Sequence, residues 1–216
     1  MAYTALIAGA SGLVGGNCLQ LLLDDKECTK VISIGRRVLD IKHAKLQQET
    51  IDFEKLADHA NLFDVDQVYC CLGTTIKTAG SKENFRKVDF DFPLNIAEVA
   101  EGSAKVFSII TAQGSDAKSP IFYNKVKGQL EDALQALQID KINIIQPALL
   151  LGSRDESRPG ETIAQGLFKL INPLFRGSMK KYKGIPVEQV AKAMVTLAKE
   201  GKTGYHKYSS DQLWEY

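Results

Sequence analysis

The sequence predicts an α/β fold, built as a doubly wound parallel β-sheet with helices on both faces. Short apolar runs alternate with helical patterns along the chain, as in successive strand–helix–strand units. Most of these runs lack the strict polar alternation of a half-exposed strand, which is typical of strands buried on both faces of a parallel sheet. The first run also leads directly into a glycine-rich turn. The chain of 216 residues is long enough for one domain, residues 1–216, with its own core.

Six short runs that are rich in valine, isoleucine and tyrosine predict the strands. They are Thr4–Ala8, Val31–Ile34, Thr50–Phe53, Gln67–Leu72, Lys105–Thr111 and Lys141–Gln146. Their alternation with helices predicts right-handed crossovers between parallel neighbours.

Helical periodicity predicts the segments that cover the sheet. The helices are expected at Leu13–Leu23, at Lys82–Ala100, along the apolar stripe from Val126 to Leu137, and at Val187–Lys199. The stretch Gly152–Gly184 is richer in arginine, glycine and proline, which predicts a small irregular C-terminal lobe that holds the substrate.

Composition excludes several classes of protein. The formal charge is only +1, whereas a dedicated nucleic-acid-binding protein usually carries a basic excess. The longest apolar stretch, Ile142–Gly152, is interrupted by Gln146 and Pro147 and is too short to span a membrane. Met1–Gly9 has no basic n-region and no cleavage site, so we expect no signal peptide.

The cysteines and histidines indicate neither a disulfide framework nor a metal site. The sequence has four cysteines but no Cys-x-x-Cys pair, and its three histidines are scattered without metal-ligand spacing. Free thiols in a reducing compartment are the simplest interpretation. We therefore expect a cytoplasmic protein without a metal.

A glycine motif follows the first strand and leads into a helix. Its residues are Gly9-Ala10-Ser11-Gly12-Leu13-Val14-Gly15. In this setting Gly9 permits a tight turn, Gly12 lets the backbone approach a pyrophosphate, and Gly15 allows the helix to pack closely on the strand. The helix N-terminus then offers N–H groups and its dipole to the phosphates. The motif predicts a dinucleotide site; the alternative is a glycine-rich turn that serves packing alone.

The end of the second strand indicates which dinucleotide the site prefers. A site for NAD usually places an acidic residue there to bind the ribose 2′-hydroxyl. Here the strand ends in Gly35-Arg36-Arg37, and the first acid is Asp40. Two guanidinium groups suit a 2′-phosphate, which favours NADP over NAD. A solvated basic pair is the alternative interpretation.

Tyr123 and Lys127 form a Tyr-x-x-x-Lys pattern at the start of a helix. The spacing of four residues places the phenol and the ammonium on one helix face. A nearby cation stabilises the phenolate, so we expect a lowered pKa for Tyr123 and a role as general acid. Lys127 would also bind the nicotinamide ribose.

Together with the glycine loop, these motifs resemble the short-chain dehydrogenase/reductase superfamily, of the atypical kind. More closely, the chain is similar to the Tat-interacting-protein branch, which includes bacterial NAD(P)-binding proteins of about this size. The segments that carry this resemblance are Cys71-Leu72-Gly73-Thr74-Thr75, Val88-Asp89, Tyr123 with Lys127-Gly128, Gln146-Pro147-Ala148-Leu149-Leu150 and Glu156-Ser157-Arg158-Pro159-Gly160-Glu161. The resemblance implies a Rossmann fold.

The resemblance also implies roles for individual residues at the cofactor. Asp52 and Phe53 would flank the adenine, and Leu72, Gly73 and Thr74 would lie under the adenine ribose and the pyrophosphate. The residues that would line the nicotinamide are Pro147, Ala148 and Leu149, while Tyr123 and Lys127 match the catalytic pair.

The fifth strand departs from the pattern of active family members, which place a serine there to bind the substrate carbonyl. Thr111 is the only hydroxyl in register, and Ala112 fills the neighbouring position. We expect Thr111 to orient the carbonyl oxygen.

Two functions remain open at this point. The first is an NADP-dependent oxidoreductase that reduces a carbonyl group of an unidentified small molecule. The second is a non-catalytic, NADP(H)-sensing regulatory or protein-interaction module that resembles NmrA, which Ala112 in place of serine favours. No nucleic-acid partner is expected, and a homodimer is left open.

Overall fold

The central feature of the fold is a seven-stranded sheet in which every neighbouring pair of strands is parallel. A computed structural model of the chain describes residues 1–152, 183–200 and 202–216. In chain order the strands are β1 (Tyr3–Ala8), β2 (Cys28–Gly35), β3 (Leu46–Thr50), β4 (Gln67–Cys70), β5 (Val106–Ile110), β6 (Lys141–Gln146), β7 (Leu150–Leu151), β8 (Ile185–Pro186) and β9 (Gly204–Ser209). The large sheet has the order β3-β2-β1-β4-β5-β6-β9, and β7 pairs with β8 separately.

Helices cover both faces of the sheet, as the sequence predicts. They are α1 (Leu13–Asp24), α2 (Ile76–Ala79), α3 (Lys82–Arg86), α4 (Phe92–Ala100), α5 (Phe122–Leu134) and α6 (Val187–Glu200), with 3-10 segments at Phe53–Phe63 and Gln212–Glu215. Helices α1 and α6 contribute to the core on one face, and α4, α5 and the Phe53–Phe63 segment to the core on the other. The prediction of a doubly wound α/β fold is confirmed.

The third predicted strand, Thr50–Phe53, is displaced in the structure. The strand ends at Thr50 and the chain turns at Asp52, whose carboxylate accepts a hydrogen bond from the Glu54 N–H at 3.0 Å. This interaction caps the 3-10 segment that begins at Phe53. The apolar residues of the predicted strand therefore belong partly to a helical turn.

The sequence analysis missed the edge strand β9. Its residues are half-exposed or exposed, and its sequence, GYHKYS, includes His206 and Lys207. An edge strand buries less apolar surface than a central one, so it lacks the apolar run by which the other strands were found.

The predicted helix Lys82–Ala100 is interrupted in the structure. Between α3 and α4 the residues Lys87–Asp91 form a π-helical turn. Single π-turns of this kind occur frequently at functional sites. This one brings the buried Asp89 to the carboxyl edge of the sheet, as described below.

The predicted irregular lobe, Gly152–Gly184, lies almost entirely outside the described residues, since the structure describes nothing between positions 152 and 183. The described helices contain no segment that is long and apolar enough to cross a membrane.

The strand order reverses direction between β1 and β4, which creates a crevice at the carboxyl ends of these strands. The chain leaving β4 runs close to the turn after β1, because the Cys71 N–H donates to the Ala8 carbonyl at 2.8 Å. In open parallel sheets, ligands bind at such a switch point.

Candidate functional site

A cleft of about 970 Å³ opens at the switch point. Its walls are the glycine loop, the end of β2, the Phe53 and Phe92 rings and the loop after β4. The cleft is wide enough for a ligand larger than a single nucleoside, since ligand pockets commonly measure about 300–1,000 Å³.

The glycine loop forms the floor of the cleft and ends at the N-terminus of α1. Gly9 has a φ of +88°, which favours glycine, and its carbonyl accepts the Gly12 N–H at 3.0 Å. Gly12 is the N-cap, no side chain caps the helix, and its first turn has no acidic residue. Among the described residues, the first N–H groups of α1 and its positive dipole end thus have no protein acceptor that would compete with an anion.

The three glycines of the loop have different surroundings. A Cβ atom at Gly9 would lie 2.6 Å from the Cys71 carbonyl carbon, and one at Gly15 would lie 2.2 Å from the Gly9 oxygen. Both positions therefore exclude side chains for packing reasons. At Gly12 a Cβ would have one neighbour only, the Gly9 oxygen at 3.3 Å, so a side chain there would occupy the cleft.

Arg36 and Arg37 line the rim of the cleft where β2 ends, and both are exposed. Within the part of the chain that the structure describes, neither guanidinium forms an ion pair or a hydrogen bond with another residue. Both side chains are thus available for an anionic group on a ligand.

At the predicted adenine end, Phe53 lines the cleft and Asp52 does not. The Asp52 carboxylate is engaged in the cap of the Phe53–Phe63 segment, which accounts for the difference. The Phe53 ring stacks on Phe92 with centroids 5.4 Å apart. Phe92 and Val88 also line this end, and the sequence analysis did not assign them to it.

A second cleft of about 290 Å³ adjoins the first and shares Gly12, Leu13, Cys71, Leu72 and Gly73 with it. The predicted residues that line only this second cleft are Val14, Thr74, Thr111, Tyr123, Lys127, Pro147 and Ala148. Leu149 lines neither cleft; its carbonyl accepts the Ile185 N–H instead, next to the pairing of β7 with β8.

Lys127 is buried in an ion pair with Asp89, a residue for which the sequence analysis proposed no function. The Lys127 Nζ lies 2.8 Å from Asp89 Oδ1, and the two side chains are 3% and 1% exposed. The other Asp89 oxygen accepts the Thr74 N–H at 2.8 Å. Asp89 thus joins α5 to the loop after β4. The sequence analysis included the Val88-Asp89 pair in the family resemblance. It assigned no contact to Asp89 because it predicted a continuous helix over Lys82–Ala100.

Tyr123 differs from its prediction in its pKa. Burial raises the pKa of the Tyr123 phenol above its usual value; Lys127 lowers it, and Asp89 raises it. The expected lowering by Lys127 is therefore outweighed. The phenol stays protonated at neutral pH, which suits a proton donor.

Thr111 also differs from its prediction. Its hydroxyl donates to the Glu131 carboxylate at 2.6 Å, in a buried contact. A threonine hydroxyl has a single hydrogen, so in this arrangement it has none to donate to a substrate carbonyl. Glu131, which the sequence analysis did not single out, also accepts from Gln146 and pairs with Lys207 at 2.9 Å.

The site can now be compared with known proteins. The sequence model of the HIM1 family matches residues 28–175. The chain is 36% identical over 197 residues to Protein HTATIP2 of Rattus norvegicus, covering 89% of this chain and 79% of that protein. The chain belongs to the HIM1 family. This membership and the relative HTATIP2 confirm the resemblance to the Tat-interacting-protein branch of the atypical short-chain dehydrogenases.

Two mitochondrial relatives correct the expected location. The mitochondrial protein fmp52 of Emericella nidulans is 30% identical over 222 residues, covering 99% of this chain and 94% of that protein. FMP52 of Debaryomyces hansenii, 31% identical over 93% of this chain and 89% of that protein, is also mitochondrial. The expectation of a cytoplasmic protein, drawn from the free thiols, is contradicted by these relatives.

Solved structures confirm the Rossmann fold of this HIM1-family chain. It matches a UDP-N-acetylglucosamine 4-epimerase from Methanobrevibacter ruminantium with a TM-score of 0.72 and 16% identity, covering 96% of this chain and 76% of that one. A short chain dehydrogenase family protein from Francisella tularensis matches with a TM-score of 0.67 and 15% identity over 98% and 99% of the two chains. The Bordetella bronchiseptica enzyme WbmG, solved in complex with NAD, gives a TM-score of 0.69 and 16% identity, with 97% and 73% covered.

Proposed function

We propose that this HIM1-family protein is an NADP(H)-dependent oxidoreductase that reduces a carbonyl group of a small molecule. The observation that carries the proposal is the junction of the two clefts. The uncapped helix N-terminus faces the larger cleft, and the Tyr123 phenol and the Lys127 ammonium line the smaller one. A dinucleotide that spans the shared Gly12–Leu13 wall would bring its reactive ring to Tyr123.

The residues present fit a dinucleotide. The open space beside Gly12 accepts a pyrophosphate, and the N–H groups of α1 supply donors for it. Phe53 and Phe92 offer an apolar wall for the adenine, and Pro147 and Ala148 one for the nicotinamide. WbmG, which shares the fold, contains NAD in its solved complex, and this supports the choice of ligand.

A reduced dinucleotide held by the glycine loop would supply the hydride for the carbonyl carbon. Tyr123 donates its phenolic proton to the carbonyl oxygen, and its raised pKa keeps the phenol protonated at neutral pH until that step. Lys127, held by Asp89, lies within reach of the same cleft and would bind the ribose hydroxyls.

Dinucleotide binding is tested by the variant Gly12→Val. The extended backbone of Gly12, with φ −87° and ψ 169°, accommodates valine, so the protein should fold. The side chain would occupy the pyrophosphate space, and we expect NADPH affinity to fall more than about a hundredfold, or ~2.7 kcal/mol. Fluorescence titration measures the affinity, and thermal melting verifies the fold. A folded variant that binds NADPH normally would show that the loop serves packing alone.

Preference for NADP is tested at Arg36 and Arg37. A charge-assisted hydrogen bond contributes about 1.5–3 kcal/mol, so losing one should weaken NADPH binding about tenfold or more. Calorimetry on Arg36→Ala and Arg37→Ala should show this loss, with NADH binding unchanged. Lys30→Ala, which removes an exposed cation outside the cleft, serves as the charge control. Equal affinity of the wild type for both dinucleotides would contradict the preference.

A sensing module without turnover is the second candidate function. The observation that favours it is the hydrogen bond from Thr111 to Glu131, which removes the second donor that a substrate carbonyl would need. Ala112 beside it offers no replacement.

A further inference from the structure

The ion pair between Lys127 and Asp89 gives the second cleft an electrostatic character that the Tyr-x-x-x-Lys pattern alone does not suggest. A lone lysine beside a tyrosine would stabilise the phenolate. Here the carboxylate is 2.8 Å from the ammonium, and both groups are almost fully buried. At Tyr123 the carboxylate therefore opposes the ammonium: Lys127 lowers the Tyr123 pKa and Asp89 raises it.

Asp89 is also held by a second contact, which keeps its carboxylate beside Lys127. Its second oxygen is held by the Thr74 N–H at 2.8 Å, and the π-turn that carries it is packed between α3 and α4. The carboxylate thus cannot swing away from Lys127 without breaking a buried backbone hydrogen bond.

The remaining surroundings of Tyr123 add no charge among the residues that the structure describes. The Phe85 ring packs on Tyr123 with centroids 5.6 Å apart. Cys70, behind Lys127 on β4, stays a neutral thiol because burial raises its pKa to about 12. The charged groups that act on Tyr123 within the described ranges are Lys127 on its own helix and Asp89 on the π-turn.

We propose that Asp89 is a positioning residue, which holds the Lys127 ammonium against the Gly73–Thr74 loop and opposes its charge at Tyr123. The inference rests on the proposed function, and it gives Asp89 a part in setting how readily the Tyr123 phenol releases its proton during carbonyl reduction. In the proton step the Tyr123 O–H bond breaks, and the substrate oxygen takes the proton while the carbonyl carbon accepts the hydride. Water then returns a proton to the phenolate.

The test measures ionisation of the Tyr123 phenol, in protein without dinucleotide. Tyrosine labelled with ¹³C at Cζ reports ionisation by NMR, and the signal that is absent from Tyr123→Phe belongs to Tyr123. In the wild type the midpoint of this titration should lie above the usual tyrosine range, because burial raises the Tyr123 pKa. In Asp89→Asn the uncompensated ammonium should lower the midpoint by about one pH unit or more, which is a tenfold larger ionisation constant.

Asp91→Asn is the matched control, since it removes the same charge two residues away on the same π-turn. Asp91 acts on Lys87 and is absent from the groups that act on Tyr123. We therefore expect the Tyr123 signal of this variant to titrate as in the wild type. An unshifted Tyr123 in folded Asp89→Asn, or an equal shift in Asp91→Asn, would overturn the proposal.

A second variant covers the case in which Asp89→Asn, with its buried unpaired lysine, does not fold. Asp89→Asn combined with Lys127→Gln buries no charge, and Tyr123 should begin to titrate at the same pH as in the wild type. If the wild type begins to titrate about one pH unit below the double variant, Lys127 is not compensated and the proposal is wrong. Because no dinucleotide is present, failure of cofactor binding leaves this result unaffected.

Discussion

Tyr123→Phe should lower the rate of carbonyl reduction by about 10²–10⁴-fold, the range that general acid catalysis contributes. The change removes the phenolic hydroxyl from the second cleft and keeps the ring that packs on Phe85. The affinity for NADPH should therefore change little. The measurement is NADPH consumption with a carbonyl substrate, found first by screening aldehydes, ketones and quinones.

A control and a pH profile distinguish this role from a structural one. Tyr208→Phe removes a tyrosine hydroxyl outside both clefts and should leave the rate unchanged. Because reduction needs the protonated phenol and burial raises the Tyr123 pKa, wild-type activity should persist through neutral pH and fall only in the alkaline range. A verified activity that persists in Tyr123→Phe would show that another group donates the proton. If the wild type reduces no carbonyl compound, the sensing module becomes the better account.

The layout of the sheet and the position of the larger cleft beside the glycine loop could be predicted from the sequence because both depend on local patterns. A buried parallel strand is a continuous apolar run, and the loop Gly9–Gly15 follows such a run directly. The structure adds that Gly9 and Gly15 are fixed by packing, whereas Gly12 borders open space. The edge strand β9 was not predicted, because its residues are half-exposed or exposed and do not form an apolar run.

The electrostatics of the second cleft could not be predicted in the same way, because they depend on contacts between distant segments. Lys127 forms an ion pair with Asp89, which lies 38 positions earlier in the chain. Thr111 donates a hydrogen bond to Glu131 of helix α5. A spacing pattern locates the lysine but not its counter-ion. The sign of the Tyr123 pKa shift, which was predicted as a lowering, depends on burial and on that counter-ion.

We expect the largest loss of stability from a side chain at Gly15, and its neighbour Gly16 provides the control. Both lie in the first turns of α1, where replacing glycine by alanine ordinarily stabilises a helix by about 0.5–1 kcal/mol. A Cβ at Gly16 would meet the Ala10 oxygen at 3.4 Å, an ordinary contact. A Cβ at Gly15 would lie 2.2 Å from the Gly9 oxygen and 2.8 Å from its carbonyl carbon, atoms of the backbone that cannot rotate away.

Gly15→Ala should therefore lower the free energy of unfolding by about 3 kcal/mol, at the upper end of what overpacking usually costs. Helix α1 would have to move off the turn after β1, which would also displace the N–H groups proposed to bind the pyrophosphate. Gly16→Ala should leave the free energy of unfolding unchanged or raise it slightly. Urea denaturation followed by circular dichroism measures both variants. If Gly15→Ala and Gly16→Ala were equally stable, α1 would not pack on the Gly9 carbonyl as closely as the structure shows. The close packing that was predicted for Gly15 would then be wrong.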